Sequence, residues 1–142
     1  MKIGTIKSDT SGPLRMLASV VRALQPPAIS RAVDAALQVY QHGIQSRAPR
    51  KSGALAASFK RETTGAYTGE VGSDLIYARP QEFGAWIAPK GKALKFEGSG
   101  GVHFQGKPIR LRPQPYVGPT FDQDSPRAEA AFMSEIDRAI GN

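Results

Sequence analysis

Residues 28–64, AISRAVDAALQVYQHGIQSRAPRKSGALAASFKRETT, change their periodicity at Ala48-Pro49, and that change decides the fold class. Upstream, Ile29, Val33, Leu37 (with Ala36), Tyr40 and Ile44 recur at spacings of three and four. They form the single apolar stripe of a helix over residues 28–46. Arg31, Asp34, Gln38, Gln41 and Gln45 fall away from it. Gly43 weakens such a helix by up to ~1 kcal/mol relative to alanine. Pro49 ends it, because the residue before a proline is driven out of the helical region. Residues 50–58 then read as a turn followed by a small-residue segment. Phe59–Thr64 and Tyr67–Ser73, rich in threonine, valine and aromatic residues, read as two short strands joined at Gly65-Ala66.

Working outward, residues 1–12 read as a flexible arm. Pro13 opens a short helix to Leu24, with Leu14, Leu17, Val20, Val21 and Leu24 on one side, and Pro26-Pro27 stops it. On the other flank lies residues 75–88, LIYARPQEFGAWIA, the most apolar and aromatic run. Pro80 forbids an uninterrupted central strand or helix interior there. The reading is a short extended or helical piece, a break, and a strand starting around Trp86. Alternation in ALKF and in IRL, on either side of Gly98-Ser99-Gly100-Gly101, predicts a long basic hairpin or loop over 86–112 with a glycine-rich apex. PQPYVGP at 113–119 is stiff, with three prolines in seven positions, and is expected to display Tyr116. The last helix is expected to start with Ser125 as N-cap and Pro126 in the first helical position. Its buried stripe is Ala128, Phe132, Ile136 and Ala139/Ile140, and Gly141 stops it. This order predicts an α+β fold. Its N-terminal and C-terminal helices pack on one face of a small antiparallel sheet, with a long protruding β-hairpin, in a single domain over 13–142.

Composition agrees. The chain has 142 residues, 40% hydrophobic and 22% charged, enough for one domain burying about two-thirds of its unfolded surface. Its 15 glycines and 11 prolines stay under the ~25–30% that marks disordered chains. Cysteine is absent, which excludes disulfides, thiol catalysis and thiolate metal sites. No apolar run approaches the ~20 residues of a membrane span. The polar start lacks the apolar core of a signal peptide, so synthesis in the cytoplasm is expected. The net charge is +7, which suits a polyanionic partner or simply solubility. It is also segregated. Arg47, Arg50, Lys51, Lys60 and Arg61 have no acid between them, and Lys90, Lys92, Lys95, Lys107, Arg110 and Arg112 face Glu97 alone. From Asp122 to Arg138 the sign reverses, with Asp122, Asp124, Glu129, Glu135 and Asp137 against Arg127 and Arg138.

No constellation for chemistry emerges. His42 and His103 are far apart and have no carboxylate at ligand spacing. Gly98–Gly101 lacks the lysine and hydroxyl of a phosphate loop, and there is no G-x-S-x-G elbow. Glu70, Asp74 and Glu82 could form an acid pair, but nothing in their surroundings tunes them apart. No catalytic, metal or cofactor-binding residue is therefore expected. Lys90, Lys92 and Lys95 alternate with Trp86, Leu94 and Phe96. That alternation would suit phosphate contacts beside a stacking surface, or the wet face of a hairpin with its aromatics packed.

Three stretches in order add a resemblance: Arg47-Ala48-Pro49-Arg50-Lys51-Ser52-Gly53-Ala54-Leu55-Ala56-Ala57-Ser58-Phe59, then Tyr77-Ala78-Arg79-Pro80-Gln81-Glu82-Phe83-Gly84, then Arg112-Pro113-Gln114-Pro115-Tyr116-Val117-Gly118-Pro119-Thr120. Together, over about 28–140, they resemble the tail-component (tail-completion, neck) family of long-tailed bacteriophages and the related virion-morphogenesis proteins of contractile-tailed phages. The resemblance implies a structural virion protein of the neck that completes the tail and joins it to the head. It also implies a closed, hexameric ring of identical copies around the DNA channel, without chemistry and without a membrane. The implied partners are other copies of the chain, the connector or stopper, the tail tube or tail terminator, and double-stranded DNA in passage. The expected subunit interface is Tyr77, Glu82, Phe83, Trp86, Arg110, Arg112 and Tyr116. Lys90, Lys92, Lys95 and Lys107 form a basic loop facing the DNA channel or a partner. Glu82 has two readings: an acceptor for backbone N–H groups or Arg79, or a contact to Arg110 or Arg112 of the next copy. The alternative from another class is a small basic nucleic-acid-binding protein, monomeric or dimeric.

Overall fold

The apolar stripe around Ile29 and Ile44 does form a helix. The computed structural model describes residues 11–50, 53–98 and 100–141; the expected arm falls mostly outside them, as do Lys51, Ser52 and Ser99. The elements in order are α1 (Ser11–Ala23), α2 (Pro26–Arg47), α3 (Ala54–Ser58), β1 (Lys60–Thr63), β2 (Gly69–Gly72), α4 (Ala78–Phe83), β3 (Ala85–Ile87), β4 (Leu94–Gly98), β5 (Gly101–Gln105), β6 (Ile109–Leu111) and α5 (Val117–Ile140). The class is α+β, as expected. Among the described residues the strands make three two-stranded sheets, β1-β2, β3-β6 and β4-β5, in place of one small sheet.

Pro26 and Pro27 do more than stop α1. They occupy the first positions of α2, where a missing N–H costs nothing because no intrahelical acceptor is available there. The fold divides into two compact units, each discontinuous in sequence. One comprises the chain up to His42, Lys60–Val71, and the chain from Asp124 onward; the other comprises Gly43–Phe59 and Gly72–Gln123.

In the first unit, helices pack on helices. Ala23, Ile29, Ala32 and Ile136 are buried together, with Val33, Phe132, Ala139 and Ile140 against them. The β1-β2 ribbon is pinned to α2 by Arg61. Its Nε donates to Asp34 Oδ1 at 2.9 Å and its Nη1 to Gln41 Oε1 at 2.7 Å. Gly69 permits the close approach: a Cβ there would sit 2.5 Å from the Leu37 side chain and 2.9 Å from the Glu62 carbonyl oxygen. Most of the apolar side expected for α1 is turned outward: Leu14, Leu17, Val21 and Leu24 are all at least half exposed, Val20 is half-buried, and the buried residue is Ala23.

In the second unit, Ile44, Ala48, Leu55, Phe59, Ala78 and Tyr116 are buried. The Phe59 and Tyr116 rings meet edge to face, with centroids 5.8 Å apart. The predicted hairpin is present as two successive antiparallel ribbons. Ala85–Ile87 pair with Ile109–Leu111, placing Trp86 opposite Arg110. Leu94–Gly98 pair with Gly101–Gln105 toward the tip.

The final helix is a correction. It starts at Val117, eight residues before the expected N-cap at Ser125, and carries Pro126 inside it. The reason lies in a carboxylate that is distant in sequence, described next.

Candidate functional site

A helix start leaves its first N–H groups without intrahelical acceptors. At the start of α5 one side chain takes all of them. Glu82 Oε2 accepts from the Tyr116 N–H at 2.6 Å and the Val117 N–H at 2.9 Å, and Oε1 accepts from the Gly118 N–H at 2.9 Å. The next residue, Pro119, has no N–H to satisfy. An anion at the positive end of a helix is also favoured by the macrodipole. Here the cap reaches in from α4, 34 residues away. A local signal such as Ser125-Pro126 cannot compete with it.

Around this anchor α4 and residues 114–120 are stitched together. The Gln114 N–H donates to Gln81 O at 2.8 Å, and Gln81 Nε2 donates to Gln114 Oε1 at 2.7 Å. The Tyr116 hydroxyl donates to Ala78 O at 3.0 Å, and Thr120 Oγ1 donates to Tyr116 O at 2.7 Å. Arg47 donates from Nη2 to Gln123 Oε1 at 3.0 Å and from Nη1 to Thr120 Oγ1 at 3.3 Å. Burial pushes the Glu82 carboxyl upward, but the three backbone N–H groups outweigh it and hold the carboxyl below its ordinary value. Tyr116 moves the other way. Burial raises it, and the neighbouring Glu82 charge adds to the rise.

Pro80, a breaker for a long element, is harmless as the third residue of α4. Gly84 ends that helix at φ 76°, ψ 163°, a region essentially reserved for glycine. A Cβ there would lie 2.9 Å from the Leu111 carbonyl oxygen and 3.0 Å from Pro113 Cδ. The glycine thus lets the chain turn directly from the anchored helix into β3.

Past Gly84 the surface changes character. Phe83 and Trp86 are each 72% exposed and Phe104 is 70% exposed. Arg110 and Arg112 are also exposed. Phe83, Trp86, Arg110 and Pro113 line part of a 220 Å³ cleft, so apolar rings and a guanidinium share one concave surface. Tyr77, 42% exposed, precedes α4 and is not in that lining. Lys90 and Lys92 lie in the connection from β3 to β4, Lys95 on β4, and Lys107 in the connection from β5 to β6, all exposed. The side chains of Phe96 and His103 lie outside the described residues.

Two expected interface residues change role. Glu82 is only 7% exposed and both its oxygens are engaged. Of its two readings, the acceptor of backbone N–H groups holds, and the contact to a neighbour's arginine is displaced. Tyr116 is 1% exposed; the proline-rich segment tucks the ring inward and does not display it. Sequence reasoning passed over Ile76, 92% exposed, because an apolar residue in an apolar run reads as core. It also passed over the Gln81–Gln114 pair, which no spacing rule signals. Among the described residues no group of three or more metal-ligating side chains is clustered. No helix among them is long and apolar enough to cross a membrane.

Fold and surface together define an α+β protein with an exposed aromatic and cationic hairpin arm, hung from a helix start that is capped by a buried carboxylate. Residues 17–84 match the family HK97-gp10_like, described as "Bacteriophage HK97-gp10, putative tail-component". The resemblance read from the first two motifs is therefore shown, and over this segment the chain is similar to a bacteriophage tail component, a part of the virion. The match closes on Glu82, Phe83 and Gly84, the carboxylate, exposed ring and glycine described above. The hairpin arm and the third motif lie beyond it. No curated protein and no solved structure matches the chain.

Proposed function

We propose that this protein is a structural component of the phage neck, where identical copies form a ring around the DNA channel and finish the tail for joining to the head. The observation that carries the reading is the arm. Single exposed apolar residues are ordinary. Phe83 at the end of α4, and Trp86 and Phe104 on the hairpin that follows it, are each at least 70% exposed and are instead the kind of aromatic anchors, with arginines nearby, that interfaces use. The tail-component match over 17–84 supports the virion setting. The acidic helix after Asp122 offers a neighbour's arm an opposite charge.

In this reading the arm reaches an adjacent copy or a partner ring, which is a connector or stopper on one side and a tail-tube or terminator protein on the other. Lys90, Lys92, Lys95 and Lys107 line the passage or the partner. DNA passes without sequence readout and no reaction is catalysed. Six copies follow by analogy with the family. Sedimentation velocity with native mass spectrometry tests the ring: a closed oligomer is expected, and electron microscopy of virions should find it at the collar. A solitary monomer that binds duplex DNA tightly, with affinity falling steeply between two salt concentrations, would establish the nucleic-acid-binding alternative instead.

A further inference from the structure

Helix α1 carries its large apolar side chains on the side away from its core. At 3.6 residues per turn, Leu14, Leu17, Val21 and Leu24 occupy about a quarter of the circumference, and they are 61%, 59%, 50% and 54% exposed. Buried Ala23 and half-buried Ser19 lie across the helix from the stripe, half-buried Val20 borders it beside Leu24, and Met16, a turn or more before Ala23 on the same side, is 68% exposed, so burial is confined to the last turns of α1. A helix of 13 residues is marginal in water without a packed face. Arg22 and Arg15 lie together on one side of the stripe, about 80–100° around the helix from Leu14, and residues 11–24 contain no acid.

The same unit holds the counterpart. Between α2 and α5 runs an apolar groove of 380 Å³, lined by Ala36, Tyr40, Ala128, Phe132 and Met133, with exposed Glu129 alongside. Arg15, Arg22 and Glu129 have no ion-pair partner among the described residues. One patch is apolar with cations and the other apolar with an anion, and both are carried by one chain.

We propose that the α1 stripe of one copy seats in the α2–α5 groove of a second copy, with Arg15 and Arg22 set against Glu129. The stripe faces away from its own core, so its natural acceptor is another molecule. Because stripe and groove are different patches, the contact is head-to-tail and repeats by rotation into a ring or a filament. This inference rests on the ring reading and names a contact for it that is separate from the hairpin arm.

The absence of cysteine makes the test clean. Single variants Leu17→Cys and Met133→Cys are mixed and oxidised with copper phenanthroline. Disulfide-linked pairs of one variant with the other are expected in excess over like pairs, and a chain carrying both cysteines should give a ladder of linked copies. The double substitution Leu17→Glu, Val21→Glu should abolish oligomer formation while leaving the thermal unfolding of the monomer in place. Failure of the mixed disulfide in a sample that still sediments as an oligomer would overturn this contact and leave the ring reading standing. A sample that stays monomeric at every concentration would overturn both. A disulfide closing within one doubly substituted chain, like pairs of Leu17→Cys outnumbering mixed ones, or α1-dependent binding to anionic vesicles in place of self-association would each assign the stripe a different cover.

Discussion

Glu82 and Phe83 are neighbours in sequence with opposite fates. The carboxylate is 7% exposed and the ring 72% exposed, the reverse of what their polarity suggests. The difference separates two kinds of requirement. On the Glu82 side the fold must satisfy the backbone donors of a helix start, and a buried anion with several backbone partners does so without another cation. On the Phe83 side the fold has no need of the ring and leaves it, with Trp86, on a surface that another molecule can cover. The two regions meet at Gly84, where the backbone accepts a conformation closed to other residues.

The largest effect that would test this contrast is at the anchor. Glu82→Ala leaves three backbone N–H groups without their acceptor, that of Tyr116 buried and those of Val117 and Gly118 part-buried, and a fully buried orphan costs about 1–3 kcal/mol. A loss of about 3 kcal/mol or more is expected in urea unfolding, enough to shift the midpoint strongly in a domain of marginal stability. Glu82→Gln keeps one acceptor oxygen but turns an amide toward the other donors, so it should fall between wild type and alanine. An unchanged midpoint for Glu82→Ala would remove the anchor from the account.

Gly84→Ala should follow, at about 2–3 kcal/mol. It combines a sparsely allowed backbone conformation with a Cβ 2.9 Å from a carbonyl oxygen. Because this residue joins the anchored helix to the arm, the hydrogen-exchange protection of β3 and β6 is expected to fall more than that of α2. Equal losses across the molecule would mean that the two regions are not separable in this way.

How much of this was legible in the sequence depends on the range of the interaction that decides each element. The α2 stripe, the two runs on either side of Gly65-Ala66, and the alternation in ALKF and IRL are local patterns, and all became the expected elements. The start of α5 is decided by Glu82, 34 residues upstream of Tyr116, and no local rule contains it; the nearby Ser125-Pro126 offered a false beginning. The α1 stripe was legible as amphipathic, but which side meets the core is not written in periodicity. Small Ala23 makes the close contact and the leucines are left over. Of the expected interface set, Phe83, Trp86, Arg110 and Arg112 are exposed, whereas Tyr116 turns inward, and that turn depends on its hydroxyl reaching Ala78 O.

A smaller effect comes with pH. The folded state holds the Glu82 carboxyl below its ordinary value, so the unfolded chain takes up this proton first as pH falls. The anchor's stabilisation is complete at neutral pH and down to the ordinary carboxylate range near about 4.3. It is lost below that, as pH falls through the depressed folded value. The stability difference between wild type and Glu82→Gln should therefore stay constant from pH 7 to 5 and narrow toward pH 3. A constant difference down to pH 3 would show that the charge of Glu82 does not contribute.

The smallest expected change in stability is at Trp86, and it carries the most functional weight. Trp86→Ala removes a ring that the monomer barely covers, so unfolding should shift by no more than about 0.5 kcal/mol, as surface substitutions usually do. If the arm is an interface, truncating a central aromatic should weaken assembly by about 2 kcal/mol or more, roughly thirtyfold in dissociation constant at 1.4 kcal/mol per decade. Urea unfolding and sedimentation equilibrium of the variant beside wild type read the two quantities on one preparation. A variant with normal stability and weakened assembly separates assembly from folding, which is the division that Glu82 and Phe83 display within two residues. A variant that unfolds early would return Trp86 to the core and bring the two regions under one rule.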